Sequence, residues 1–370
     1  MKIIFSSNIS WSIYNFRLAL LKSLQNDGHN IYTVASRDKY SKLLENEGFT
    51  YKEIILNNNS TNPIKDFKII RDYYKLYKEI DPDIICHNAI KPNIYGTIAA
   101  GFLGIPVVNN ISGLGTLFIK KSISTKIAKL LYKISQIKAS KVFFQNSDDL
   151  NLFIKNKLID AEKCKVIPGS GVDTFKFSPP EQTIKNDTFH FLFVGRLLYD
   201  KGILEYINAI NILKKSYPNV TFEVLGPLYE NNTTSVKKET LDFWVSEDII
   251  NYLGETDNVQ CFMEKTDCIV LPSYREGLSK VLIEASSMGL PIVTTNVAGC
   301  KDVVIDEETG FLCNAKDSKD LALKMEKMIL LSSTERETMG RKARQRAIDC
   351  FDQKIIINIY KKTIDSIFIY

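Results

Sequence analysis

Four ionisable side chains in the second half of the chain have the types and spacing needed to hold a diphosphate beside a polyol. Arg196 follows Gly195 directly after the apolar run Phe189–Val194, and Lys201 stands five residues on, next to Gly202. Glycine lets backbone approach a ligand closely. A helix expected near 202–216 presents its N-terminal N–H groups at the same place. Two cations beside such a terminus suit an anion, arginine as a planar fork and lysine as a point charge. The plain alternative is a solvated arginine and a capping lysine. Further on, Glu276 and Glu284 lie eight residues apart in Pro272-Ser273-Tyr274-Arg275-Glu276-Gly277-Leu278-Ser279-Lys280-Val281-Leu282-Ile283-Glu284. With Glu276 in the loop and Glu284 in the following helix, the pair spans up to ~12 Å at ~1.5 Å per residue, about the reach from ribose to hexose in a nucleotide-sugar. The N–H groups of Gly277, Leu278 and Ser279 between them can cup phosphate. Glu284 lies beside Val281, Leu282, Ile283 and Ala285, so its carboxylate needs a fixed partner. Otherwise the two are a helix-dipole glutamate and an ordinary helical one.

The first half offers polar residues at the ends of short apolar runs. Ser10-Trp11-Ser12-Ile13-Tyr14-Asn15-Phe16-Arg17 follows Lys2–Phe5 as a loop leading into a helix expected over Asn15–Asn26. His87-Asn88-Ala89-Ile90-Lys91 ends the run Ile84–His87, and Ser112-Gly113-Leu114-Gly115-Thr116 follows Val107–Ile111. Of the three histidines, only His87 stands at a strand end, where imidazole chemistry is useful. A hydrogen-bonded strand-end histidine is the ordinary alternative. Gly113 and Gly115 are no dinucleotide fingerprint, because no third glycine opens a helix, so a nicotinamide cofactor is not expected. Asp81-Pro82-Asp83 precedes its strand and reads as a turn. No other cluster of metal ligands is evident, so neither metal nor cofactor is expected.

These residues are positioned by a β–α alternation that runs twice. Strands are predicted at Lys2–Phe5, Ile31–Ala35, Ile54–Leu56, Ile84–His87, Val107–Ile111 and Lys141–Gln145. After Pro179-Pro180 they resume at Phe189–Val194, Thr221–Leu225, Ile249–Leu253, Cys268–Leu271 and Pro291–Thr294, with helices between. Short apolar strands alternating with helices imply parallel sheets covered on both faces. The expected architecture is α/β: two doubly wound, Rossmann-like domains, 1–170 and 180–345, facing a central cleft. A C-terminal helix, 350–370, returns to the first. Ligands of such sheets bind beyond the strand C-termini.

Composition bounds the rest. The 370 residues suffice for two cores, and 45% hydrophobic with 25% charged residues excludes wholesale disorder. Seven scattered cysteines without a Cys-x-x-Cys argue against disulfides and a zinc site and fit a reducing cytoplasm. No run suits a membrane span or a signal peptide. Residues 1–178 carry 25 Lys/Arg against 15 Asp/Glu, whereas residues 179–370 carry 23 against 28. Between Asp83 and Asp148 there are eight lysines and no acid. Within that stretch Ile123, Ile127, Leu130, Leu131, Ile134 and Ile137 recur at helical spacing against Lys126, Lys129, Lys133 and Lys138. A basic amphipathic helix over 122–141 is expected to touch an anionic membrane surface, the alternative being a domain helix with its apolar face in the core. Nucleic acid is not an expected partner.

Val194-Gly195-Arg196-Leu197, Lys201-Gly202, Pro272-Ser273-Tyr274 with Glu-x7-Glu, Gly289-Leu290-Pro291-Ile292-Val293 and Thr309-Gly310-Phe311-Leu312 occur in order. Together they resemble the retaining glycosyltransferase family 4, of GT-B fold. The resemblance implies that Arg196 and Lys201 hold the donor diphosphate, Glu284 the ribose and Glu276 the transferred sugar. Gly195, Gly277, Leu278, Ser279 and Gly299 complete the donor site. Ser-Ile-Tyr-x-Phe-Arg is similar to the branch acting on polyprenyl-diphosphate-linked sugars. It implies acceptor contacts from Ser12, Tyr14 and Arg17, and a catalytic role for His87 near the transferred sugar beside Arg196, Lys201 and Glu276. Lys91 is expected to meet acceptor phosphate, its alternative being a solvated loop lysine, and Gly113 and Gly115 are expected to form a rim at the acceptor or the donor. The activity so implied is metal-independent transfer of a hexose or N-acetylhexosamine from a UDP-sugar to an undecaprenyl-diphosphate-linked saccharide, in surface polysaccharide or glycan synthesis. The protein is expected to be cytoplasmic and peripheral on the inner face of the bacterial membrane. The alternatives are a nucleotide-sugar 2-epimerase, which expects more cleft histidines and carboxylates, and a membrane-associated scaffold, which expects the site charges to be lost.

Overall fold

The computed structural model describes residues 1–56, 63–114, 123–181, 188–229, 232 and 234–368, without the side chains of 63–65 and 123–124. The chain forms two compact units, Met1–Gly171 with Gln353–Tyr370, and Val172–Asp352.

The first unit runs β1 (Lys2–Ile9), α1 (Ser10–Asn26), β2 (Asn30–Ser36), α2 (Lys39–Asn46), β3 (Thr50–Glu53), α3 (Pro63–Ile80) and β4 (Ile84–Asn88). It continues with α4 (Thr97–Leu103), β5 (Val107–Ile111), α5 (Ile123–Gln136), β6 (Lys141–Phe144), α6 (Ser147–Lys155) and β7 (Cys164–Val166). The strands lie in the order β3-β2-β1-β4-β5-β6-β7, all pairs parallel. Strand alternation sorts the core into two layers. Ile4, Ile85, Val107 and Val142 pack with Tyr73, Tyr77 and Tyr132 of α3 and α5. Ile3, Phe5, Ile84, Cys86, Val108 and Phe143 pack with Leu20, Leu21 and Leu24 of α1.

The second unit runs β8 (His190–Val194), α7 (Ile203–Leu213), β9 (Thr221–Leu225), α8 (Lys238–Ser246), β10 (Asn251–Tyr252) and α9 (Gln260–Met263). It continues with β11 (Cys268–Leu271), α10 (Lys280–Ser287), β12 (Ile292–Thr295), β13 (Gly310–Cys313), α11 (Ser318–Leu330) and α12 (Ser333–Arg346). Its parallel sheet has the order β10-β9-β8-β11-β12-β13. The last helix, α13 (Gln353–Phe368), belongs to the first unit and lays Ile356, Tyr360 and Ile364 into the α1-side layer.

Several local expectations differ from the structure. Helix α1 begins at Ser10, so Ser10–Tyr14 is helical and not a loop. The helix can start at once because Asp38 accepts from the Trp11 N–H at 2.8 Å and Ser10 Oγ meets Ser41 Oγ at 2.8 Å. Thr50–Glu53, not Ile54–Leu56, forms the edge strand, pairing Tyr32–Ala35. Strands β7 and β13 and helix α12 were not foreseen. The start of α12 is marked by a capping box between Ser332 and Glu335, the Ser-x-x-Glu pattern that signals a helix N-terminus. Among the described residues no helix is long and apolar enough to cross a membrane.

Candidate active site

Each sheet reverses its strand order once, between β1 and β4 in the first unit and between β8 and β11 in the second. The loops beyond those strand ends are where doubly wound sheets bind ligands.

In the second unit these loops pack backbone against backbone, which is why glycines occur there. Gly202 has φ +75°, and a Cβ on it would lie 2.1 Å from the Pro272 carbonyl oxygen. Gly299, at φ +78°, would bring one 2.6 Å from the Glu276 carbonyl. These close approaches join the loop after β8 to the loops after β11 and β12. Lys201, in a short 3-10 turn before α7, forms an ion pair with Glu276, their side chains 19% and 14% exposed. Ser273 Oγ donates to the same Glu276 oxygen at 2.7 Å. The Tyr274 hydroxyl donates to Glu205 at 2.8 Å, and its N–H donates to the Asp200 carbonyl. Glu284 is buried inside α10, with Lys280 Nζ 3.7 Å away. Burial pushes its carboxyl above the usual range, against the pull of Lys280 and Lys176. Arg196 is exposed at the mouth of β8, its guanidinium 5.8 Å from the Tyr229 ring.

The structure thus brings Gly195, Arg196, Lys201, Glu276 and Gly299 to one set of strand ends, with Glu284 in the adjoining helix. One expectation needs correction. The Ser279 N–H is not free, because it donates to the Gly299 carbonyl at 3.0 Å. Of the three amides expected to cup phosphate, Leu278 has no partner among the described residues. Gly277 is engaged elsewhere. Sequence reasoning missed Ser273 and Lys176 as partners of the two glutamates. Ser273 lies within the quoted motif, whereas Lys176 is more than a hundred residues from Glu284 in the chain.

In the first unit the strand ends are polar and buried. His87 is wholly buried, at 0% exposure, on the α3 and α5 side of the sheet. Its Nε2 bonds the Tyr77 hydroxyl at 2.7 Å, and its Nδ1 meets Asn109 Oδ1 at 3.0 Å and Thr97 Oγ1 at 3.2 Å. Burial lowers its pKa to about 4, so it is neutral near pH 7. Gly96 closes the remaining side, since a Cβ there would lie 2.5 Å from Nε2. This placement corrects the expectation of a histidine facing the transferred sugar: both ring nitrogens are taken, and the ring supports Asn109 and the helical turn Pro92–Gly96. Tyr14 lies against Tyr40 of α2, ring centroids 5.4 Å apart, and Ser12 is half-buried in α1. Lys91 immediately precedes the turn Pro92–Gly96, without a side-chain capping bond. Gly113 follows β5 with φ +126°, and Gly115 lies outside the described residues. Arg17 is buried and donates to Asn88 Oδ1 at 3.0 Å. Ala89, next in the chain, has φ +77°, an unfavourable conformation for a residue with a Cβ.

Helix α5 settles which way the isoleucine stripe points. Its buried residues are Thr125, Ala128, Tyr132, Ser135 and Gln136, whereas Ile127, Leu130, Ile134 and Ile137 are between 49% and 63% exposed. Lys126 and Lys133 are exposed beside them. Phe102 of α4, 72% exposed, follows Gly101, which lies against the Lys138 side chain.

The family model described as "Glycosyl transferases group 1" matches residues 174–346, and that described as "Glycosyl transferase 4-like" matches residues 2–146. The UDP-Gal:alpha-D-GlcNAc-diphosphoundecaprenol alpha-1,3-galactosyltransferase of Escherichia coli is 31% identical, over 69% of this chain and 68% of its own. The chain belongs to the group 1, family 4 glycosyltransferases. The N,N'-diacetylbacillosaminyl-diphospho-undecaprenol alpha-1,3-N-acetylgalactosaminyltransferase of Campylobacter jejuni is 27% identical over 99% of both chains. The solved structure of Anabaena HepE in complex with UDP and glucose superposes with a TM-score of 0.83 at 21% identity, over 99% of this chain and 100% of that one. The fold of this glycosyltransferase is GT-B.

Proposed function

We propose that this glycosyltransferase moves a hexose or N-acetylhexosamine from a UDP-sugar to a hydroxyl of an undecaprenyl-diphosphate-linked saccharide, with retention at the anomeric carbon. The observation that carries the reading is end-to-end similarity to a Campylobacter enzyme whose name states a diphospho-undecaprenol acceptor. In this reading the second unit holds the donor. Arg196, Lys201, the Leu278 N–H and the N-terminus of α10 meet the diphosphate, Glu284 the ribose and Glu276 the sugar. The C1–O bond to UDP breaks as the C1–O bond to the acceptor forms, and the acceptor proton passes to the departing phosphate. Charge grows on that phosphate, so the two cations act mainly in the transition state. Glu276 is tied to Lys201 and Ser273, which favours positioning the sugar over attacking it. The first unit takes the acceptor, with Arg17 and Lys91 as its cations and Ser12, Tyr14 and Gly113 nearby. The test incubates the protein with UDP-sugars and polyprenyl-diphosphate saccharides and follows UDP release and product mass. A product one sugar heavier with the anomeric configuration kept supports the reading, and UDP-sugar isomerised without transfer overturns it.

We further propose that the enzyme works at the inner face of the cytoplasmic membrane, a reading that an undecaprenyl-linked acceptor supports. The outward stripe of Ile127, Leu130, Ile134 and Ile137, edged by lysines, supports α5 as the contact. Each lysine near an anionic leaflet contributes ~1 kcal/mol, screened by salt. Cosedimentation with anionic liposomes is expected at low salt and lost on replacing Lys126, Lys129 and Lys133 by Glu. Binding indifferent to salt and to these changes argues for another contact.

A further inference from the structure

The geometry points to a preformed glycosyl-phosphate site at the strand ends of the first unit. There Arg17 and Asn88 take the phosphate, Asn110 takes a sugar hydroxyl, and Tyr360 of the C-terminal helix holds the set in place. The inference deepens the reading of a diphosphate-linked acceptor and rests on it.

Arg17 is 4% exposed, and among the described residues no carboxylate pairs with it. Its Nε donates to Asn88 Oδ1 at 3.0 Å and its Nη1 to the Phe16 carbonyl at 3.4 Å, while Nη2 has no partner among the described residues. A buried guanidinium without a counter-ion lacks the charge that would compensate its desolvation, and a phosphate oxygen supplies it in bidentate-capable geometry. Asn88 supports this. Because Arg17 takes its Oδ1, the amide orientation is fixed, and the buried Nδ2 is left as a donor with no acceptor. Asn110 lies opposite Asn88 in the β4–β5 register. Its Nδ2 donates to the Tyr360 hydroxyl at 3.3 Å, and its Oδ1 is a buried acceptor with no donor. Ser7, near the end of the neighbouring strand β1 (Lys2–Ile9), has an unpaired buried hydroxyl. A cation and an amide donor beside an amide acceptor and a hydroxyl match an anion joined to a polyol. That is the chemistry of a sugar attached through its phosphate. Buried polar atoms left unpaired are rare in folded chains, and four lie on the closing residues of these adjacent strands, those of Ser7, Asn8, Asn88 and Asn110.

Tyr360 is the element that sequence distance hides. It is 1% exposed, its ring centroid is 5.6 Å from the Arg17 guanidinium carbon, and Phe143 braces it edge-on at 5.0 Å. It touches Arg17 through its ring and Asn110 through its hydroxyl, so it is a positioning residue for both halves of the site.

The site is tested with N-acetylglucosamine 1-phosphate as probe, by calorimetry on full-length protein carrying Arg196→Ala and Lys201→Ala, which removes the cations of the second unit. Binding is expected, and Arg17→Gln should weaken it by about 10- to 100-fold, the loss of a hydrogen bond to a charged group. Arg17→Lys should fall between. N-acetylglucosamine without phosphate should bind at least about tenfold more weakly. Tyr360→Phe, which keeps the ring and removes the hydroxyl, should raise the KM for a polyprenyl-diphosphate saccharide several-fold while kcat and UDP affinity hold. Probe binding absent from the parent protein, or unchanged in Arg17→Gln and Arg17→Lys, overturns the site. A Tyr360→Phe enzyme that loses kcat and UDP affinity together overturns the positioning role. A parent enzyme that binds the probe but glycosylates no polyprenyl-diphosphate acceptor keeps the site and overturns the wider reading of the acceptor.

Discussion

The two units share a sheet topology but furnish their strand ends with opposite chemistry. In the second unit the groups are charged, paired with each other and partly open to solvent: Lys201 with Glu276, Lys280 with Glu284, and Arg196 at the rim. In the first unit the groups are mostly neutral and buried: His87, Asn88, Asn109, Asn110 and Thr97. One cation, Arg17, lies among them, with no acid paired to it among the described residues. A site that must stabilise a departing diphosphate needs charge aimed at a developing charge. A site that must recognise a saccharide needs fixed donors and acceptors, and buried amides held by neighbours supply those with little rearrangement. Two similar scaffolds can therefore divide a transfer reaction between them through the residues at their strand ends alone.

The comparison breaks first if the charged end is not essential. Arg196→Ala and Lys201→Ala are each expected to lower turnover by roughly 10²–10³ in soluble, folded protein, as for removal of one transition-state charge partner. Lys201→Ala should be the more harmful, because it also leaves Glu276 without its ion-pair partner. Steady-state rates near the parent value in both variants remove them from the site.

The neutrality of the first unit can be probed by pH. The folded pKa of His87 is about 4, below the ordinary value of ~6.5. The unfolded chain therefore takes up its proton first as pH falls. The associated stability is complete above ~6.5 and is lost on acidification towards ~4, about 3 kcal/mol in all. Urea unfolding at pH 7 and at pH 4.5, in the parent and in His87→Gln, measures it. The variant should show a smaller loss, and an equal loss in both assigns the acid sensitivity to other groups.

Within the charged end, the two glutamates should separate. Glu276→Gln is expected to alter turnover and sugar selectivity, and Glu284→Gln to weaken UDP by about tenfold, the order of one hydrogen bond to a charged group. If Glu276→Gln weakens UDP more than Glu284→Gln does, their roles are exchanged.

The same contrast explains what was legible in the sequence. The β–α rhythm was visible because parallel strands buried on both faces read as short apolar runs such as Ile84-Ile85-Cys86 and Val107-Val108. The charged residues at the second unit's strand ends were visible because charged groups stand out and cluster within a short stretch of chain. At the first unit's strand ends Arg17 was visible, but the buried amides around it were not. Asn88 and Asn110 are neutral amides, and Tyr360, the partner of Asn110, is 250 residues from it in the chain. The available signal was Asn109-Asn110 in an otherwise apolar strand, two polar side chains at positions that alternation assigns to the core. His87 was overvalued because histidine is scarce in this chain, while the ring's surroundings depend on Tyr77 and Asn109, which only the fold brings to it. The start of α1 was misread because its capping partners, Asp38 and Ser41, come from the next helix.

Titration of the full-length enzyme with UDP, in the parent, Lys201→Ala and Arg17→Gln proteins, tests the division of labour most directly. The account predicts a single site, weakened at least about tenfold by Lys201→Ala and unchanged by Arg17→Gln. Equal weakening in both variants, or in Arg17→Gln alone, would contradict it.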